Sequence, residues 1–261
     1  ALNLIQSGGN FTSDDVVALW LEHVATEDEL RRGGVSEVEA CNNLRRGLRP
    51  PESGRFNPYH MSDGAAMRSG PIGIVCAGDP ERAAHLAMVD ASISHDGDGI
   101  WGAQAVSVAV SLAMVDAGMD EILQAVLKTA PENSWFHAAL ERAFSIVDQA
   151  CGKVADAWMP LHDQLFSTHR STVAEALPEV FGCLKLVHSD FKSGLILAAN
   201  FGRDADTIGA VAGAVLGARY GADSIPKHWI DKTRYPSGTC LSFAKGIDLF
   251  EYAKGLAELI C

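Results

Sequence analysis

The sequence predicts an all-α fold, a single domain built as a compact multi-helix bundle. Three observations carry that expectation. From Ile100 onward, apolar residues recur at helical spacing through most of the chain. No run alternates convincingly between apolar and polar residues, and no Asn-Gly or Asp-Gly turn joins two such runs. Cap signals open several segments, the strongest being Asp79-Pro80, a capping residue followed by proline in the first turn. With 261 residues, 48% of them hydrophobic, the chain can bury a substantial core.

The elements follow in order. Ala1 to Gly8 reads as the middle of a helix, and residues 13–25 as a second, opened by a Ser-Asp-Asp cap around Ser13. Ser36-Glu37-Val38-Glu39 reads as a capping box that opens a helix to about Arg46. Residues 47–58, rich in Pro and Gly, predict a surface loop. Ser62-Asp63-Gly64 is turn-forming, and the small-residue helix after it is expected to kink at Pro71. The helix from Asp79-Pro80 runs to about Ser92. Asp96-Gly97-Asp98-Gly99 is a turn by composition; as a calcium loop it lacks the acidic twelfth residue, which falls on Ser107. Helices are then expected over 100–117, 120–129, 134–151, 153–166, 171–186, 189–200, 207–220 and 242–259, with Pro178 bending one of them.

Composition excludes several functions. A formal net charge of −12 leaves no basic surface for nucleic acid. No apolar run approaches the roughly 20 residues that span a bilayer, and no signal peptide is visible. Cys41, Cys76, Cys151, Cys183, Cys240 and Cys261 are scattered without a CxxC pair, and read as reduced thiols of a cytoplasmic protein. His137, His162, His169, His188 and His228 show no metal-ligand spacing and read as ordinary polar contacts. Phosphate-loop, nucleophile-elbow and dinucleotide fingerprints are absent, as are internal repeats.

The chemistry concentrates in Asn200 to Tyr220, NFGRDADTIGAVAGAVLGARY. Gly209, Gly213 and Gly217 share one face of a helix, a strip on which another helix can pack. Each costs about 1 kcal/mol relative to alanine, so the strip calls for a packing reason. Asp204, Asp206 and Thr207 stand where that helix begins. Two readings are open: an ordinary N-cap, or a hard-oxygen set suited to Mg²⁺, Mn²⁺ or Ca²⁺.

The whole string, followed by Ile225-Pro226-Lys227-His228-Trp229, resembles the ADP-ribosylglycohydrolase family of the dinitrogenase reductase-activating type. Gly64-Ala65-Ala66-Met67-Arg68 with Pro71 and Gly73 is similar to a second segment of that family, and Ser94-His95 with the glycine-containing helix start after it to a third. The resemblance implies a family-type orthogonal bundle around two divalent metal ions, Mg²⁺ or Mn²⁺. It implies Asp204, Asp206 and Thr207 as metal ligands, and Ser62, Asp63, Gly64, Ala65, Met67, His95 and Gly202 as substrate-binding residues, with Asp96 less certain. Arg68 is open between ion-pair partner and ligand residue. Three positions depart from the pattern: Arg203 replaces a glycine, Ala205 a threonine and Asp63 an asparagine. Neither of the first two removes a ligand. An ionised Asp63 cannot donate a hydrogen bond as asparagine does, so phosphate contacts weaken there while ribose contacts stay open.

In the family a Thr-Asp-Asp-Thr group completes the metal site, and the acid/base carboxylate also lies in the N-terminal region. Neither is present here, and the expectation is a segment missing before Ala1, with Ser13-Asp14-Asp15 a plain N-cap. The function implied is metal-dependent hydrolysis of the N- or O-glycosidic bond of ADP-ribosylated protein side chains. The alternatives are hydrolysis of free ADP-ribose derivatives or nucleotides, or a non-catalytic role. Nucleic acid and membrane are not expected partners.

Overall fold

The structure, a computed structural model, describes residues 1–26 and 33–260. Cys261, one of the six cysteines, lies outside the described residues; Cys41, Cys76, Cys151, Cys183 and Cys240 are free thiols. The fold is all-α. Among the described residues the one extended pairing is an isolated antiparallel bridge between Ser62 and Thr172. No helix there is long and apolar enough to cross a membrane.

The first half holds α1 (Leu2–Gln6), α2 (Ser13–Leu19), α3 (Val35–Arg45), α4 (Glu52–Arg55), α5 (Gly64–Arg68), α6 (Gly70–Val75) and α7 (Pro80–Ala91). The second holds α8 (Asp98–Ala113), α9 (Met119–Leu127), α10 (Trp135–Gln149), α11 (Val154–Leu165), α12 (Val173–Leu186), α13 (Phe191–Asn200), α14 (Ala205–Tyr220), α15 (Lys227–Thr233) and α16 (Leu249–Ala257).

Several boundaries differ from expectation for identifiable reasons. The cap of α2 is Thr12, whose hydroxyl and the Asp15 carboxylate form a reciprocal capping box, not Ser13. Ser36 does not cap α3: the helix starts from Gly34, and the Ser36 hydroxyl donates instead to Glu37 Oε2 at 2.7 Å. The stretch around Pro71 is two short helices rather than one kinked one, because Pro71 sits in the first turn of α6. The loop over 47–58 contains α4. At the C-terminal end a 3₁₀ turn, Ser242–Ala244, is separate from α16. Asp79 caps α7 as expected, accepting from the Arg82 amide.

Two apolar clusters meet along α5 and α8. Ala65 belongs to the N-terminal cluster and Ala66 to the larger C-terminal one; Ala103 and Ala105 divide likewise on α8. Helix α8 is buried over most of its surface, as its nearly all-round small apolar sequence requires. Its neighbours approach very closely. A Cβ on Gly73 of α6 would stand 2.5 Å from the Ser107 carbonyl and 2.6 Å from Val110 Cβ. The glycine strip of α14 faces α13, with Gly209, Gly213 and Gly217 opposite Ala199, Leu195 and Phe191. Space there is ordinary: Cβ atoms would lie 3.5 to 3.8 Å from those neighbours.

Candidate active site

Between α13 and α14 the chain turns through two successive left-handed residues, Gly202 (φ 95°) and Arg203 (φ 52°). Glycine adopts that conformation freely, whereas arginine pays about 1 kcal/mol for it. The turn is supported by His162, whose Nε2 lies 2.6 Å from the Phe201 carbonyl and whose ring stacks on Phe201 at 3.9 Å.

It delivers Asp204 to the N-cap position of α14, yet the Asp204 side chain makes no capping hydrogen bond. Only 6% of Asp204 is exposed. Its carboxylate turns instead toward Asp63, with the Arg170 guanidinium Nε 3.7 Å from Oδ1. The N-cap reading therefore does not account for Asp204. Thr207, one turn on, is 2% exposed, while Asp206 points to the exposed side of the helix start.

Asp63 sits on the turn before α5. Burial, and next the facing Asp204, push its carboxyl from 3.8 up to about 9. At neutral pH it keeps its proton and can donate where an ionised aspartate cannot. In that state Asp63 offers a donor as asparagine would. Its Oδ2 is buried with no hydrogen-bond partner. The turn is pinned to the start of α12, since the Asp63 amide donates to the Ser171 carbonyl at 2.9 Å and the Val173 amide to Met61 at 3.0 Å. A Cβ on Gly64 would meet the Glu37 carboxylate, so any side chain there requires Glu37 to shift.

Ser62 and His95 belong to a closed ring of hydrogen bonds behind that turn. Arg68 Nη2 donates to Ser94 Oγ at 2.9 Å, and Ser94 Oγ lies 2.7 Å from His95 Nδ1. His95 Nε2 lies 2.9 Å from Ser62 Oγ, which donates to Ser36 Oγ at 2.9 Å, and Ser36 donates to Glu37. The Arg68–Glu37 ion pair at 3.3 Å closes the circuit. Consistent donors assign the proton of His95 to Nε2. Burial, and secondarily Arg68, hold its pKa well below the usual 6.5, so the ring is neutral. Arg68 also pairs with Asp90 at 2.8 Å and lies over the Trp20 ring at 5.2 Å. Of its two open readings, the ion-pair partner is the one observed.

Three stretches far apart in sequence thus converge, through Ser62 to His95 and Asp63 to Asp204. Ala65 is fully buried behind them and Gly202 is half-buried at the turn. The Met67 side chain is exposed, and Asp96 lies to one side with Oδ2 3.5 Å from Arg55 Nε.

Two carboxylates here were not singled out from sequence. Glu175 and Glu179 lie four residues apart on one face of the apolar helix α12, and both are fully buried. Two acids in register within an otherwise apolar helix were the available signal. Glu175 receives Arg203 through Nε at 2.5 Å and Nη2 at 3.1 Å, and the Ser167 amide at 2.6 Å. Both Glu179 oxygens lack partners, and burial, followed by the Glu175 charge, raises its pKa from 4.5 to about 9.

The donor chemistry fits a hard cation at Asp204: a buried carboxylate that does not cap, a buried threonine, and the orphaned Asp63 oxygen beside them. Among the described residues no group of three or more His, Cys, Asp or Glu side chains is gathered tightly enough to hold a metal by itself.

A many-helix bundle with buried acids at the start of a small-residue helix defines a class, and comparison with known proteins places the chain within it. The family model described as ADP-ribosylglycohydrolase matches residues 1–260, and the chain belongs to that family. It is 30% identical over 206 residues to an uncharacterized protein of Archaeoglobus fulgidus, covering 78% of this chain and 63% of that one. It is 26% identical over 200 residues to the ADP-ribosyl-[dinitrogen reductase] glycohydrolase of Rhodospirillum rubrum, covering 75% and 60%. The chain thus spans somewhat under two thirds of the length of these relatives. A solved structure titled ADP-ribosylglycohydrolase-related protein complex shares the fold, with a TM-score of 0.63 at 21% identity over 99% of this chain and 77% of that one.

Proposed function

We propose that this chain carries the ADP-ribose site of a divalent-cation-dependent hydrolase that removes ADP-ribose from protein side chains. One observation carries the reading: the three resembling segments meet at a single place, Ser62 against His95 and Asp63 against Asp204. Asp204, Asp206 and Thr207 would hold the cation, Mg²⁺ or Mn²⁺. Anchoring of ribose hydroxyls and Lewis-acid activation of a water are the chemistry such an ion supplies when bound.

The chain's own residues do the rest. The turn at Ser62, Asp63 and Gly64 presents its backbone to the ligand, with Ala65, Met67, His95 and Gly202 around it. Its rigidity comes from the hydrogen-bonded ring behind it, which fixes the turn without spending ligand contacts. As the glycosidic bond breaks, positive charge develops at the anomeric carbon, and a nearby carboxylate such as Asp204 opposes it electrostatically.

The test is release of ADP-ribose from ADP-ribosylated arginine and serine peptides, with Mg²⁺, Mn²⁺ or chelator, by this chain and by Asp204→Asn. The reading expects cation-dependent release from one peptide, lost in the variant. Equal release by the variant, or none from either peptide with either ion, refutes it.

A further inference from the structure

The surroundings of Asp204 are acidic. Asp63, Glu175, Glu179 and Asp204 are all buried there; Asp63 and Glu179 hold their protons and Glu175 is paired with Arg203, which leaves Asp204 as the carboxylate charge a ligand meets. A ligand bearing a diphosphate enters such a place only if a cationic group meets it. Two arginines stand close by, and their situations differ.

Arg203 is spent. Its guanidinium is divided between both Glu175 oxygens and the Ser167 carbonyl at 2.7 Å, and it lies over the Phe166 ring at 4.5 Å. Arg170 is not. Its side chain is 65% exposed, and its ion pair with Asp204 is 3.7 Å long, beyond hydrogen-bond reach.

The backbone that carries Arg170 is nevertheless fixed on both sides. Upstream, Ser167 donates its amide to Glu175 and offers its carbonyl to Arg203. Downstream, Ser171 accepts from the Asp63 amide and Thr172 bridges Ser62. The Thr172 hydroxyl ties back to His169 at 2.6 Å. An exposed guanidinium held only by one long ion pair, on a pinned backbone at the edge of the Ser62–Gly64 turn, is preorganised for a planar, multidentate anion.

We infer that Arg170 is the residue that recognises the diphosphate of the ligand, and that the Arg203–Glu175 pair is the clamp that positions it. Arg203 stands at a left-handed backbone position, yet its side chain makes the bonds that secure the Phe166–Ser167 stretch leading to Arg170. This inference rests on the ADP-ribose reading above.

Calorimetric titration with ADP-ribose, at low and at physiological salt, tests it on this chain and on Arg170→Ala. The inference expects the variant to bind about tenfold more weakly and to lose most of the salt sensitivity. Wild-type binding with an Arg170→Ala variant of equal affinity and equal salt sensitivity overturns this inference alone. Failure of the wild-type chain to bind ADP-ribose overturns the functional reading and this inference with it. The clamp is tested with Arg203→Ala combined with Glu175→Gln, which strands no buried charge. Its loss of affinity should vanish when Arg170 is already alanine. A loss that persists in that background shows that Arg203 acts by another route and overturns the clamp.

Discussion

The carboxyl of Asp63 faces that of Asp204, bringing the turn before α5 against the start of α14 across about half the chain. Two ionised carboxylates would repel at this distance. The pair is tolerated because buried Asp63 keeps its proton and serves as donor to its neighbour.

From this pairing, Asp63→Asn should fold as stably as the parent or more so, since the amide replaces the protonated carboxyl as donor. Asp63→Ala, which leaves the Asp204 carboxylate buried without it, should lose about 1–3 kcal/mol. Urea denaturation of the two variants checks the ordering, and an alanine variant as stable as the asparagine one contradicts it.

Glu179 makes stability depend on pH in a definite direction. Its folded-state pKa is about 9 against an ordinary 4.5, so between those values the folded chain holds a proton that the unfolded chain has released. The contribution is complete below pH 4.5 and is lost as pH rises toward 9, at no more than about 1.4 kcal/mol per pH unit. His95 acts on the acid side: neutral when folded, it disfavours folding as pH falls below 6.5, where the unfolded imidazole takes up a proton. Asp63, also raised to about 9, adds a slope of the same sign, so denaturation with chelator present should show Glu179→Gln with a shallower alkaline slope and exceeding the parent above neutrality. An unchanged slope contradicts this account of Glu179.

Arg203→Gly relieves a strained backbone but strands Glu175, which is fully buried. Breaking a buried pair costs about 3–5 kcal/mol, and the strain returns about 1, so a net loss of roughly 2–4 kcal/mol is expected. Adding Glu175→Gln should recover most of it. No recovery in the double variant would mean that the ion pair is not the source.

The helix glycines separate into two kinds. Gly213→Ala has room, with Leu195 Cδ1 at 3.5 Å, and should stabilise by about 0.5–1 kcal/mol through helix propensity. Gly73→Ala forces a methyl to 2.5 Å from a carbonyl and should destabilise by about 1–3 kcal/mol. Thermal melts of the pair should move in opposite directions.

Much of this was legible in the sequence, and the limits have physical causes. Caps and apolar patterning placed α7 through α14 to within a few residues, because the signals are local: a stripe on most of these helices, a nearly continuous apolar run on α8 and α12. The glycine strip correctly announced a helix partner, α13, although its packing proved ordinary and the tight approaches to backbone lie at Gly54, Gly73 and Gly99. Caps were less legible: Thr12 rather than Ser13 opens α2, since which neighbouring hydroxyl turns inward depends on the chain before it. At the site, the family resemblance marked Asp63 and His95, and residue types with it Asp204, but not their charge states. The proton on Asp63 and the neutrality of His95 follow from burial and from neighbours remote in sequence. Glu175 and Glu179 were signalled only by standing four apart in an apolar helix; the neighbours that give them a role, Arg203 and Asp204, are remote in sequence.

We propose that Asp204, turned from its cap, holds a divalent cation on which ADP-ribose binding depends. The most direct measurement is calorimetric titration with Mn²⁺, followed by ADP-ribose, on the chain and on Asp204→Asn. Mn²⁺ should bind, ADP-ribose should bind only when Mn²⁺ is present, and both should be lost in the variant. Mn²⁺ and ADP-ribose affinities unchanged by Asp204→Asn would contradict it.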